Sequence, residues 1–516
     1  MTKKPSGGST ARFASIMFLN GACIMVLEMV GARLLTPFLG NSIIVWTSLI
    51  GIILASLSIG YWQGGRLADR TLSEKVLAWL LVAAAGAVLL TAAIYGPVLR
   101  AIAHLESLHT AAVLTAIVLF TLPAVFCGMV SPYATRLALS ELKTAGAVVG
   151  TLNAISTAGS ILGTFLGGFV LVSWVSSPVI VYGIAAVLGV TALLAHSPVR
   201  GKQVLAFLIL AGLSGTVHVL VPDEREGIVY VQETPYNVVR IREEFRPSRE
   251  GAPRAVRVLL TDEDKTQSAT FVDNPAELVF EYTKYYALGT YLKPKAERIL
   301  MLGGGGYSVP KWLLSENSPL PAGSFNLDVV ELDPGVTEAA ELYLGLEAER
   351  HPNMRIVHED ARRFVNRVAE GKGERYDLIL GDVFNSQASV PFHVGTVEAA
   401  RSIRESLAED GVFLMNIISA IDGDNGRLFR GIHAAFAEVF PHTQTFLVYH
   451  PQRPYVPQNI ILIAAAKPIG LPDAASAPPE IAGFLANRYV HPIPDDIPAL
   501  TDAYAPVDRY TLGMIR

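Results

Sequence analysis

At 516 residues the chain exceeds one ordinary domain, and two or three are expected. Its composition, 51% hydrophobic and 17% charged with a mean hydropathy of +0.39, is membrane-like when averaged over the chain. A net charge of −5 leaves no footprint for nucleic acid, and two cysteines inside apolar runs, Cys23 and Cys127, imply neither a disulfide framework nor a cysteine-based metal site.

The average conceals a split near residue 222. Before it, apolar runs of spanning length recur at 13–36, 43–63, 76–98, 110–130, 146–174, 178–196 and 203–221. Each is long enough for a hydrocarbon core of about 30 Å, which takes ~20 helical residues. The first run has no A-x-A-like cleavage site, so it is expected to be retained as a span. Lys3, Lys4 and Arg12, then Arg66, Arg70 and Lys75, then Arg136 and Lys143, then Arg200 and Lys202 fall in alternate loops, with Arg100 the exception. That alternation puts the N-terminus inside and makes residues 1–222 a multi-pass helical domain of the cell (inner) membrane, with the bilayer as partner. Val204–Val221 is expected to cross as a seventh span, which puts the rest of the chain outside; six crossings would put it in the cytoplasm.

Charge within a span is costly, so Glu28 and Arg33 need partners. Five residues apart, they do not share a helix face. Pairing with other spans is the expectation and a transport site the alternative. Gly146, Gly150, Gly159, Gly163 and Gly167 give G-x-x-x-G spacings that predict close helix packing. The stretch Gly64–Arg70 is similar to a short cytoplasmic loop of major facilitator transporters, although a glycine turn with positive-inside arginines reads the same way.

After Pro222, residues 229–243 and 255–271 are β-rich with polar turns between them, which predicts a small antiparallel sheet within 223–292. A helix is expected over 277–291, with the aromatic stripe Phe280, Tyr282, Tyr285 and Tyr286 in the core. Strands alternating with helical segments follow in 293–516: 298–302, 327–332, 355–358, 376–380, 412–417, 445–449 and 460–464, with a last helix over 479–488. This alternation predicts a doubly wound α/β sheet, whose ligands sit beyond the carboxyl ends of its strands.

The stretch 298–333 organises that sheet. Ile299–Leu302 is a short apolar run fit for a buried parallel strand, and Gly303, Gly304, Gly305 and Gly306 suit a turn that brings backbone close to a ligand. Glu331, 25 residues after Gly306, ends the next strand, where a carboxylate accepts from both hydroxyls of a ribose. Asp360 and Asp382 end the two strands after it.

At these residues the soluble part, over about 229–465, resembles spermidine synthase and the polyamine aminopropyltransferases. With its apolar half, the whole chain looks like membrane-fused spermidine synthase-like proteins. The resemblance implies a small β-domain followed by a Rossmann-like domain of the S-adenosylmethionine methyltransferase type. It also implies decarboxylated S-adenosylmethionine, or S-adenosylmethionine, as co-substrate, with no metal. By that match Gly303–Gly306 form the nucleoside loop, Glu331 holds the ribose, Asp360 holds the adenine amino group and Asp382 is the base. Gln267 and Tyr282 fall near positions that line the substrate pocket. The implied partner is a small-molecule amine, and a homodimer is compatible with it.

Two positions depart from that pattern. Gly306 stands where the family has an aspartate, and Val383-Phe384-Asn385-Ser386 replaces a loop with a second acid. Three functions therefore stay in view. The first is aminopropyl transfer to a polyamine, and the second is methyl transfer, for which His393 is a candidate base or else a capped loop residue. The third is a non-catalytic nucleoside or polyamine sensor coupled to the membrane domain.

Overall fold

Every apolar run before residue 196 folds as a helix: α1 (Gly7–Leu39), α2 (Ile43–Arg70), α3 (Glu74–Ile102), α4 (Leu108–Ala138), α5 (Ala145–Phe165) and α6 (Ser177–Ala195). The chain is described here by a computed structural model covering residues 7–40, 42–102, 105, 107–139, 144–195, 227–248, 251–261, 266–321, 323–383 and 391–511. It divides into two units, Met1–Arg225 and Glu226–Arg516. Among the described residues, six helices are long and apolar enough to cross a membrane. The seventh expected span, 203–221, lies outside the described residues.

Local chemistry sets the helix ends and kinks of the first unit. Ser42 and Ser107 cap α2 and α4, accepting from the backbone N–H of Val45 and Thr110. Pro123 cannot donate to the carbonyl of Leu119, and Thr91 Oγ1 fills the vacancy from α3 at 2.6 Å. The expected helix over 146–174 leaves α-geometry at Leu166, passes through a π turn (Leu166–Leu171) and ends at Trp174. Arg33 Nη1 donates to the carbonyl of Val172 just beyond that turn, so it satisfies freed backbone rather than pairing with Glu28.

The glycine stripe of α5 behaves differently along its length. A Cβ on Gly159 would fall 2.1 Å from the carbonyl oxygen of Phe18, and one on Gly163 would fall 2.4 Å from that of Ala22. These two glycines let α5 lie directly on α1. Gly146 and Gly150 have nothing within 4 Å of a Cβ, so the packing expected of them is not made among the described residues.

The second unit begins with a four-stranded antiparallel sheet, β1 (Ile228–Glu233), β2 (Val238–Ser248), β3 (Gly251–Leu260) and β4 (Thr266–Phe271), in sequence order. Val239, Ile241 and Leu259 of this sheet bury against Tyr285, Tyr286 and Leu288. The helix expected over 277–291 is instead two short ones, Glu281–Lys284 and Ala287–Leu292. Tyr285 and Tyr286 sit at the break, both buried, and their hydroxyls engage Asn487 (2.7 Å) and the carbonyl of Gly381 (2.7 Å).

The rest is an eight-stranded sheet. Its strands are β5 (Arg298–Leu302), β6 (Asn326–Glu331), β7 (Met354–His358), β8 (Tyr376–Gly381), β9 (Leu407–Ser419), β10 (His442–Leu447), β11 (Gln458–Ala465) and β12 (Arg488–Tyr489). Their order is β12-β10-β11-β9-β8-β5-β6-β7, with β9 to β7 parallel and the others antiparallel. Alternate residues of β5 feed two cores, Ile299 and Met301 one face, Leu300 and Leu302 the other. Burial on both faces is why that strand reads as an unbroken apolar run. Asp328 interrupts β6 because Arg355, directly opposite on β7, grips it at 2.9 and 2.7 Å, and Tyr376 donates to it at 2.5 Å. Helices α7 (Ser308–Leu313), α8 (Pro334–Tyr343), α9 (Ala361–Arg367), α10 (Val397–Ser406) and α11 (Arg427–Ala437) cover the sheet. The last expected helix closes early, at Leu485, and the chain then pairs as β12.

The contrast within α5 is testable. Gly159→Leu is expected to cost at least about 1–3 kcal/mol through overpacking against α1, while Gly150→Leu leaves the thermal unfolding midpoint in detergent unchanged.

Candidate active site

The direction of strand order reverses between β5 and β8, and the carboxyl ends of these two strands frame a cleft of about 460 Å³. After Leu302 the chain turns at Gly303, with φ +89°, and Gly303 N–H donates to Val330 O at 2.8 Å. A Cβ there would lie 2.1 Å from the carbonyl oxygen of Asp382. Only glycine lets the two strand ends come this close. Gly303 to Gly306 all line the cleft, together with Gln267, Ser268, Tyr282 and Asp382.

Asp382 is held by two donors. Tyr282 Oη donates to one carboxylate oxygen at 3.0 Å and Asn416 Nδ2 to the other at 3.0 Å, while Asn459 Nδ2 donates to Asn416 Oδ1 at 2.9 Å. Desolvation raises the Asp382 carboxyl above the usual carboxylate range, against the opposing pull of Asn416 and Tyr282. The Tyr282 phenol is raised as well, first by burial and then by the Asp382 charge. Gln267 Oε1 is enclosed at the cleft wall with no hydrogen-bond partner among the described residues.

Glu331 approaches the glycine loop without lining the cleft. One carboxylate oxygen accepts from Gly304 N–H at 2.9 Å and Gly305 N–H at 3.0 Å, and the other accepts from Asp333 N–H at 2.9 Å. Desolvation raises this carboxyl too, with the three N–H groups pulling it back. Asp360 lies two strands beyond β5. It caps α9, accepting from Arg363 N–H at 3.0 Å, and meets His393 Nε2 at 3.0 Å. The His393 contact is the first cause of its lowered carboxyl. At about 4.8 Å per strand, Asp382, the loop, Glu331 and Asp360 run along one sheet edge over roughly 14 Å.

Gly306, the position of the missing family acid, abuts Ser268: a Cβ there would fall 2.4 Å from Ser268 Oγ. Of the second departure, Phe384, Asn385 and Ser386 lie outside the described residues. The sequence reading did not single out Asn416, Asn459 or Tyr449, although all three line the cleft. Asn416 carried a signal, as a polar side chain inside the apolar run 412–418. The aromatic stripe also splits, since Tyr285 and Tyr286 are core while Phe280 and Tyr282 face the cleft.

The sheet order and the edge of carboxylates define a Rossmann-like domain of the methyltransferase type. Residues 281–468 match the spermine/spermidine synthase domain, and the chain carries that domain. The chain is 32% identical to the polyamine aminopropyltransferase of Vibrio vulnificus over 186 residues, 36% of this chain and 58% of that protein. It is 23% identical to polyamine aminopropyltransferase 2 of Aquifex aeolicus over 419 residues, 77% of each chain. Among solved structures, a probable spermidine synthase from Corynebacterium glutamicum is similar over 55% of this chain and 98% of its own, with 19% identity and a TM-score of 0.40.

Behind the cleft, Lys311 of α7 is 8% exposed and ties β4 to the end of α8, donating to Thr270 Oγ1 at 2.9 Å and to the carbonyl of Leu344. Burial lowers its ammonium to about 7. Between that value and the ordinary 10.5, the unfolded chain alone holds the proton, so folding becomes more favourable as pH rises through this window. The unfolding midpoint of the second unit is therefore expected to gain on that of Lys311→Met from pH 7 to 10. A constant difference between the two proteins would contradict this.

Proposed function

We propose that the second unit transfers an aminopropyl group from decarboxylated S-adenosylmethionine to a small-molecule amine. The observation that carries this is Asp382, a desolvated carboxylate on the cleft wall, fixed by Tyr282 and Asn416 beside the glycine loop. In the proposed reaction the amine nitrogen attacks the carbon next to the sulfonium. The C–S bond breaks with its electron pair going to sulfur, and methylthioadenosine leaves. Asp382 takes the proton from the attacking nitrogen. Its raised carboxyl makes it a stronger base than an exposed aspartate, and alignment supplies much of the rate.

Gly303–Gly306 would hold the nucleoside. Glu331 would exchange part of its bonding with the loop for the ribose hydroxyls, and Asp360 would take the adenine amino group. Gln267 Oε1, enclosed and without a partner among the described residues, suits an ammonium N–H. The first unit would anchor this domain to a bilayer through its apolar helices. Six crossings from a cytoplasmic N-terminus deliver the domain to the side where adenosyl donors are made; a seventh through Val204–Val221 reverses that.

Methyl transfer from S-adenosylmethionine is the second reading. What favours it is Ser268 packed on Gly306, where the family's acid would otherwise meet the aminopropyl ammonium.

Asp382→Asn tests the base. Turnover is expected to fall by about 10²–10⁴-fold while nucleoside affinity is kept. The raised carboxyl's contribution to stability is fully present below its ordinary titration range and is lost as pH rises through the shifted value. The variant should therefore melt no lower than the parent at neutral pH. Turnover at the parent rate would remove Asp382 from the chemistry.

A further inference from the structure

The apolar stretch of α1 contains one carboxyl, Glu28, which is 8% exposed and has no partner among the described residues. Seven residues separate it from Gly21, so the two share a face of the helix, with Glu28 about 10 Å farther along the axis. That face looks onto α5. A Cβ on Gly21 would fall 2.4 Å from Ser156 O and 3.0 Å from Ser160 Oγ, and Ser160 Oγ donates to Gly21 O at 3.3 Å.

The two helices run side by side in the same direction, Gly159 on Phe18, Gly163 on Ala22 and Gly167 on Val26 and Met29. By that register Thr164, whose Oγ1 donates to Ser160 O at 3.0 Å, lies level with Cys23, short of Glu28, whose side chain leans back along the helix toward it. Ser156, Ser160 and Thr164 are spaced four apart and form a row of hydroxyls along the helix. At its other end, Ser156 is a wall of a cleft of about 600 Å³ between α2, α4 and α5, shared with Tyr61, Thr135, Asn153 and Thr157. Asp69 and Arg136, 3.6 Å apart, stand at the arginine-bearing helix ends of that cleft.

We propose that Glu28 is a proton-binding site inside the first unit, reached from this cleft along the Ser156–Ser160–Thr164 row. The proposal rests on that unit lying in a bilayer. An unpaired carboxylate in apolar surroundings is far costlier than the neutral acid. The interface is closed by glycines lying on backbone, a spacing that suits a proton better than a larger cation. A hydroxyl is able both to accept and to donate, as passage of a proton requires.

No titratable side chain occurs on α5 or its π turn. On α1 itself the others are Arg12, Cys23 and Arg33, the last donating to Val172. On the other helices packed against α1 they are Tyr61, Arg66, Asp69 and Arg70 of α2; Glu74, Lys75, Tyr95 and Arg100 of α3; His109, Cys127, Tyr133 and Arg136 of α4; and Tyr182 of α6. The charged members of that group lie near helix ends, so among the described residues no other carboxylate and no fixed charge besides Arg33 stands in the middle of the bundle.

The full-length protein in liposomes would be treated with dicyclohexylcarbodiimide, which adds to protonated carboxyls in apolar surroundings, and mapped by mass spectrometry. Glu28 is expected to be modified about tenfold faster at pH 6 than at pH 9, and Glu28→Gln to lose the label while retaining nucleoside affinity. In parallel, Ser156→Cys, on the cleft wall, should react with a small cationic methanethiosulfonate, and Ile161→Cys should not. An unmodified Glu28 at either pH, a pH-independent rate, or an unreactive Ser156→Cys variant would overturn the proposal. Protection of Glu28 by putrescine at constant pH would do so too, because the site would then take an amine.

Discussion

The site depends on one close approach of backbone to backbone. Gly303 leaves β5 with its N–H on Val330 O of β6, and Asp382 leaves β8 with its N–H on Leu302 O at 2.8 Å. Between them there is no room for a side chain, since a Cβ on Gly303 would sit 2.1 Å from Asp382 O. The glycine loop and the proposed base therefore occupy their places together. Moving either would strain three adjacent strands, and the cleft lies where that constraint is tightest.

Around it, three carboxylates at the same sheet edge are placed in different electrostatic settings. Asp382 is desolvated and held by a phenol and an amide, which raises it and suits a proton acceptor. Glu331 is desolvated too, but spends its lone pairs on three backbone N–H groups and so ties the loop to β6. Asp360 is lowered by His393 and stays an anion, as a partner for an amino group would need to be. Residue type is nearly constant along the edge, and the neighbours differentiate the electrostatics.

Much of this was legible in the residues themselves. Ile299–Leu302, the four glycines and the acids at 331, 360 and 382 announced parallel strands ending in a glycine turn and a row of acids, because burial on both faces and glycine turns leave strong local marks. Strand order left no such mark. Asn416, Tyr449 and Asn459 come from three separated segments, and only the folded sheet gathers them. The helix expected over 277–291 broke because Tyr285 and Tyr286 bury in different places, a tertiary demand invisible to local periodicity. In the apolar half, Gly159 and Gly163 packed as their spacing suggested while Gly146 and Gly150 did not. Spacing alone does not say which glycines meet a neighbour. Glu28 and Arg33 looked like candidates for ion pairs, and Arg33 donates to the backbone left open at the end of the π turn.

The central claim, that this edge of carboxylates moves an aminopropyl group, is tested most directly by the identity of the nucleoside product. The full-length protein would be incubated with putrescine and each adenosyl donor in turn, and the nucleosides resolved by mass spectrometry. The account predicts methylthioadenosine accumulating with decarboxylated S-adenosylmethionine, in step with amine consumed. S-adenosylhomocysteine from the carboxylated donor, with no methylthioadenosine from the other, would contradict it.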